Sequence, residues 1–153
     1  MSERIRLVVP WIGAQFRLAE PWTFTLFYER RNSEMWRTLT PDQAQPDWRS
    51  SSTMEVTLPV NTLLSVDRIY IRRGAVAYDS LTFWLKETTH PNFVIPPTGR
   101  QKKPRFRGCR FWAKLPDVNR IICTTIVPKD ADAATVAAYS ALAGLGSRVL
   151  VLD

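Results

Sequence analysis

Three short stretches of this chain repeat one chemically suggestive pattern. Arg68, Tyr70 and Arg72 alternate along the first, Trp84 and Lys86 follow in the second, and Arg110, Trp112 and Lys114 repeat the alternation in the third. In an extended chain, alternate side chains share a face. Each stretch therefore offers aromatic plates separated by cations. Single-stranded nucleic acid suits such a surface, because bases stack on aromatic faces for roughly 1–3 kcal/mol each while Arg and Lys meet phosphates. The same pattern can also satisfy itself. Arg over Trp across a strand pair contributes about 0.5–1 kcal/mol at exposed sites, and long basic side chains cover apolar surface. Trp84 and Trp112 could equally pack beneath a C-terminal helix. Together with Trp48 they could instead anchor a protein partner, since interfaces favour Trp and Arg.

Charge points the same way. The 153-residue chain carries a net charge of +7. Eight cations lie between residues 100 and 120: Arg100, Lys102, Lys103, Arg105, Arg107, Arg110, Lys114 and Arg120. Asp117 is the one acid among them, so the other 13 cations are balanced by 13 acids. An excess confined to one segment implies a field aimed at a polyanion or an acidic surface.

Catalytic signatures are missing from the sequence. It contains no phosphate-binding loop of the Walker type, no GxSxG elbow and no HExxH. The single histidine, His90, lies in a proline-flanked segment and is expected to be solvent-exposed. Asp67, Asp79 and Glu87 are the nearest thing to a metal-binding acid group, but the strand pairing described next separates them. Two cysteines, Cys109 and Cys123, do not make a disulfide framework. They read as reduced core thiols on neighbouring strands of a cytoplasmic protein, and with one histidine a zinc site is not expected. No cofactor is implied.

The element that must position the pattern is a hairpin from Val66 to Lys86. Ile69 and Ile71 share one face of its first strand, with Asp67 and Arg73 at the ends. Leu81, Phe83 and Leu85 share one face of the second. Pairing Ile71 with Leu81 and Ile69 with Phe83 joins the apolar sets. That register sets Arg68 opposite Trp84, Tyr70 opposite Thr82 and Arg73 opposite Asp79, and centres the turn on Ala75 to Ala77 beside Gly74.

Around the hairpin, further strands are expected at 4–9, 15–18, 22–30, 54–59, 105–115 and 120–127. A short helix over 34–39 would be capped by Asn32 or Ser33 and bury Met35, Trp36 and Leu39. Residues 40–53, with two prolines and three consecutive serines, read as a loop that contains Trp48. Four prolines and a glycine between residues 88 and 104 argue against regular structure there. An alanine-rich helix near residue 137, ended by Gly144 and Gly146, precedes an apolar run at 148–152 that could close the sheet as one parallel strand. No stretch approaches the roughly 20 apolar residues of a membrane span.

These features predict one mainly β domain over residues 1–153. It would be a bent antiparallel sheet or small barrel of about six to eight strands, with a short helix near residue 36 and a C-terminal helix near residue 137. The function they favour is non-enzymatic nucleic-acid binding, DNA or RNA, on the aromatic-basic face. The basic loop carrying Arg100, Lys102, Lys103, Arg105 and Arg107 would clamp the backbone beside it. The alternative is an inhibitor, accessory or assembly subunit that docks on an acidic protein.

Overall fold

Alternation of apolar and polar residues sets most strands. In β3 (Trp22–Phe27), Trp22, Phe24 and Leu26 are buried and Thr23, Thr25 and Phe27 are partly exposed. In β9 (Cys109–Lys114), Cys109, Phe111 and Ala113 are buried and Arg110, Trp112 and Lys114 are half-buried on the other face. This period of two is what a sheet with one core face demands. The computed structural model describes residues 6–7, 12–47, 49–70, 79–100, 102–126, 132–134 and 151–152.

The main sheet is antiparallel and five-stranded. It comprises β2 (Gln15–Leu18), β5 (Leu63–Tyr70), β6 (Ser80–Glu87), β9 and β10 (Cys123–Ile126), in the order β10-β2-β5-β6-β9. A ribbon of β3 and β4 (Thr53–Leu58) lies against it, with β3 beside β9. The core between them is aromatic. Trp22 stacks on Phe24 at 4.3 Å and meets the edge of Phe83 at 5.8 Å, and Phe24 stacks on Phe111 at 5.2 Å. Offset and edge-to-face rings of this kind add to what burial alone contributes. The fold is mainly β, as the sequence predicts.

Between β3 and β4 the chain makes a 3-10 turn at Arg30–Asn32 and then α1 (Ser33–Leu39), which buries Met35 and Trp36 as expected. Asn32 precedes the helix but does not cap it with its side chain. The amide is spent elsewhere: Nδ2 donates to the Phe27 and Trp112 carbonyls, and Oδ1 accepts the Trp112 N–H at 2.7 Å. α2 (Leu115–Val118) occupies much of the expected turn at 116–119, and its Asp117 accepts from the Thr25 N–H at 3.0 Å.

Several expectations change. The hairpin register is shifted by two residues: Ile69 pairs with Leu81, Arg68 with Thr82 and Tyr70 with Ser80, while Trp84 faces Ser65. Bulges cause this. The ladder slips between Val66 and Arg68, leaving Asp67 extra, and again between Leu63 and Leu64, leaving Lys86 without an opposite residue. The turn, with Ile71 and Arg73, lies outside the described residues, and the expected pairing of Arg73 with Asp79 lies there with it.

The proline-rich segment is also more ordered than expected. Pro91–Phe93 forms a 3-10 turn on the fully buried Phe93, and β7 (Val94–Ile95) then pairs with β8 (Arg105–Phe106). Proline at the first position of such a turn gives up no needed N–H. The strand expected over 105–115 breaks at Arg107 and Gly108. A Cβ at Gly108 would stand 2.9 Å from the Leu85 carbonyl, so the close approach of this segment to β6 requires glycine.

At the C-terminus, β11 (Val151–Leu152) pairs antiparallel with β1 (Arg6–Leu7), not parallel with the main sheet. The two chain ends satisfy each other's backbone groups directly. Ala133 and Ala134 are helical, and the rest of the helix expected near residue 137 lies outside the described residues, as does Trp48.

Candidate functional site

The outer face of β5, β6 and β9 is laid out in rows by the strand pairing. Trp84 faces Ser65 on one side and Arg110 on the other; Thr82 lies between Arg68 and Trp112; Ser80 lies between Tyr70 and Lys114. The bulge at Asp67 gives this face its chemistry. A regular strand would turn Asp67 toward the apolar face. The extra residue lets it join the outer one, where its Oδ1 accepts the Trp84 indole N–H at 3.1 Å. Its Oδ2 lies 3.3 Å from Arg110 Nε and 3.8 Å from Arg68 Nε. The Arg110 guanidinium in turn lies over the Trp84 ring, 4.5 Å from its centroid. Carboxylate, indole and guanidinium thus fix one another's positions.

Trp84 and Arg110 form one wall of a cleft of about 680 Å³. The opposite wall is the 3-10 turn and α1, which contribute Arg30, Arg31 and Arg37, and Arg107 enters from the segment after β8. Five arginines therefore line the cleft together with Trp84, and Glu34 is the one acid in the lining. Among the described residues, the side chains of Arg30, Arg31, Arg37 and Arg107 make no ion pair with an acid. Arg30, Arg31, Arg37 and Arg107 are exposed and Arg110 is half-buried; cations gathered along a cleft focus a positive potential. Guanidinium forks match the oxygens of phosphate or carboxylate in pairs.

The residues singled out from the sequence separate into groups. Trp84, Arg107 and Arg110 line the cleft, and Lys86 Nζ lies 5.7 Å from the Trp84 ring centroid. Arg68 is exposed beside Asp67. Arg100, Lys102, Lys103 and Arg105 are exposed on the β7–β8 hairpin, whose base is tied down where the Arg107 N–H donates to the Phe93 carbonyl. Tyr70 is exposed at the far end of β5, and Arg72 lies outside the described residues.

Trp112 and Lys114 face a different neighbour. Trp112 lies parallel to Phe27, with centroids 5.5 Å apart and planes 6° apart, and its indole N–H donates to Glu29 Oε2 at 2.6 Å. Lys114 Nζ sits 4.5 Å from the Phe27 centroid. Their cover is the end of β3 and the turn after it, where the sequence pattern alone points to a C-terminal helix or to open solvent.

Arg30, Arg31 and Arg37 are not singled out by the sequence pattern. A signal for them exists in the spacing: Arg30, Glu34 and Arg37 fall at i, i+4 and i+7, one face of a helix. They belong to the part of the chain whose charges cancel in sequence, and that balance hides them.

The remaining reactive groups have separate settings. Glu87 pairs with Arg17 at 3.2 Å, and the buried Asp79 accepts the Leu115 N–H at its carbonyl, so neither approaches Asp67. No group of three His, Cys, Asp or Glu side chains able to hold a metal occurs among the described residues. His90 is half-buried, not exposed as expected. Its Nδ1 accepts the Asn92 N–H at 3.2 Å, its ring meets the edge of Phe93, and burial lowers its pKa. Cys109 and Cys123 are free and buried, and burial pushes both thiols up to about 12, with Glu34 adding to the effect at Cys109. They lie on β9 and β10, the two edges of the five-stranded sheet, and not on neighbouring strands.

Among the described residues no helix is long and apolar enough to cross a membrane. No protein-family model, curated protein or solved structure matches the chain.

Proposed function

We propose that this protein binds nucleic acid without acting on it, holding the polymer in the arginine cleft and along the adjoining β7–β8 hairpin. The observation that carries the reading is the convergence of Arg30, Arg31, Arg37, Arg107 and Arg110 around Trp84. These five residues come from two separate segments of the chain; Glu34 is the one acid in the lining, and Asp67 pairs with Arg110 alone among the five. A site that collects more guanidinium groups than acids stabilises an anion, and the planar fork of arginine favours phosphate. The exposed Arg100, Lys102, Lys103 and Arg105 continue the positive surface away from the cleft. That extension suits a repeating anion better than a single small one. The buried, free thiols fit a reducing compartment, and a cytoplasmic location follows as part of the same proposal.

Fluorescence anisotropy with a labelled oligonucleotide tests it. Converting Arg31, Arg37, Arg107 and Arg110 together to Ala is expected to lower affinity at least about a hundredfold at low salt. The slope of log affinity against log salt should fall by about 0.7–0.9 for each phosphate that the variant no longer neutralises. Unchanged affinity and slope would sink the proposal. So would recovery of a protein partner on the same face that survives nuclease treatment and requires these arginines.

A further inference from the structure

The two tryptophan rings that make single-stranded binding attractive are already engaged within the protein. Arg110 lies over Trp84 at 4.5 Å, and the indole N–H is held by Asp67. Trp112 is stacked on Phe27 and bonded to Glu29, outside the cleft lining. Phe27 also carries Lys114 at 4.5 Å. Trp84 is the one aromatic residue in the lining, and it serves as the support for a guanidinium. A base entering the cleft would have to displace Arg110 to stack there, breaking a cation–π interaction and moving a half-buried charge away from Asp67.

A cleft that offers cations without an open stacking plate ranks its ligands by charge density. Single strands gain much of their affinity from stacking, about 1–3 kcal/mol per base. Without that term their advantage disappears. A duplex carries roughly one charge per 1.7 Å of axis, and its condensed counterions give a steeper salt response than those of a single strand. Cations spread over a wall, a floor and a neighbouring hairpin can reach successive phosphates along such a helix.

We infer, resting on the proposed nucleic-acid reading, that the ligand is the phosphodiester backbone of paired nucleic acid, recognised without reading or stacking its bases. In this arrangement Asp67 and Trp84 are positioning residues: they hold Arg110 with its Nε side turned to the acid. The guanidinium meets the backbone at the cleft surface.

The test compares three ligands of equal length on the unmodified protein: a blunt duplex, one of its separated strands, and that strand with its bases replaced by abasic sites. The duplex is expected to bind about tenfold or more tightly than the strand at the same salt, with a steeper salt slope. The abasic strand is expected to bind within about twofold of the base-bearing one. Equal or tighter binding of the base-bearing strand, or a drop of about tenfold or more on removing its bases, overturns the inference and leaves nucleic-acid binding standing. Failure of all three ligands to bind overturns both.

Discussion

Trp84 and Trp112 stand on adjacent strands of one sheet face, two residues out of step, and both are half-buried. Trp84 is held by an acid and a cation that belong to a charged cleft. Trp112 is held by a ring, a carboxylate and the Asn32 amide, all from β3 and the turn that follows it. Equal parity and equal residue type therefore produce a cleft wall in one place and a packing joint in the other. The covering segment decides which. Beyond the turn, α1 stands off from Trp84 far enough to leave a cleft, whereas β3 closes directly over Trp112.

The joint can be broken without the cleft. Trp112→Ala removes a stacked ring and the partner of Glu29. It should cost about 2–4 kcal/mol of stability, at or somewhat below the usual range for a core Trp because the side chain is only half-buried. Thermal or urea denaturation reads this change, while nucleic-acid affinity of the folded variant should stay within about twofold. A variant of normal stability that no longer binds would show that Trp112 belongs to the ligand site after all.

Asn32→Ala is the next largest effect. Asn32 is fully buried, and its removal leaves the Trp112 N–H and the Phe27 carbonyl without the partner they now have. An unsatisfied buried polar group costs about 1–3 kcal/mol, so about 2 kcal/mol is expected from equilibrium unfolding. If Asn32→Ala matched the native protein in stability, the contrast between joint and cleft would lose its main support.

The smallest effect is a pH dependence at the root of the basic hairpin. Burial lowers the pKa of His90, so the unfolded chain binds its proton more readily than the folded one. The stabilisation that this neutral His90 supplies is complete above its unfolded pKa of about 6.5 and falls as pH drops through the folded value. Protonation would also remove the Nδ1 acceptor now used by the Asn92 N–H. Stability should therefore decline modestly below about pH 6.5, and His90→Gln should flatten that part of the profile. An unchanged profile in His90→Gln would assign the acid sensitivity to other groups.

Much of the fold is legible in the sequence because a half-buried strand writes its period into the chain. Trp22–Phe24–Leu26 and Cys109–Phe111–Ala113 are cases in which alternation identifies the buried side correctly. The hairpin register is not legible. A bulge leaves no mark on alternation until one knows that Asp67 has partners at Trp84 and Arg110, and both are tertiary neighbours. The ordered turn at Pro91–Phe93 hides behind prolines that look like breakers, since its stability comes from the buried Phe93 ring. The cleft escapes for a similar reason. Arg107 and Arg110 belong to the segment that carries the excess charge, but Arg30, Arg31 and Arg37 belong to a segment neutral on average. Acids that cancel them in the sequence are engaged by other groups: Glu29 accepts from the Arg31 backbone N–H and the Trp112 indole, and Glu87 pairs with Arg17.

Asn32 has one more consequence. β9 is the last strand of the main sheet, and the outer side of such a strand offers its N–H and C=O groups to any extended chain that arrives. At Trp112 both groups are already engaged by a single amide, which donates to one and accepts from the other as a neighbouring strand would. A second molecule adding itself to this sheet would first have to expel that side chain and the turn that carries it. The protein thus guards against growth of its sheet across molecules with an internal mimic of the strand it excludes.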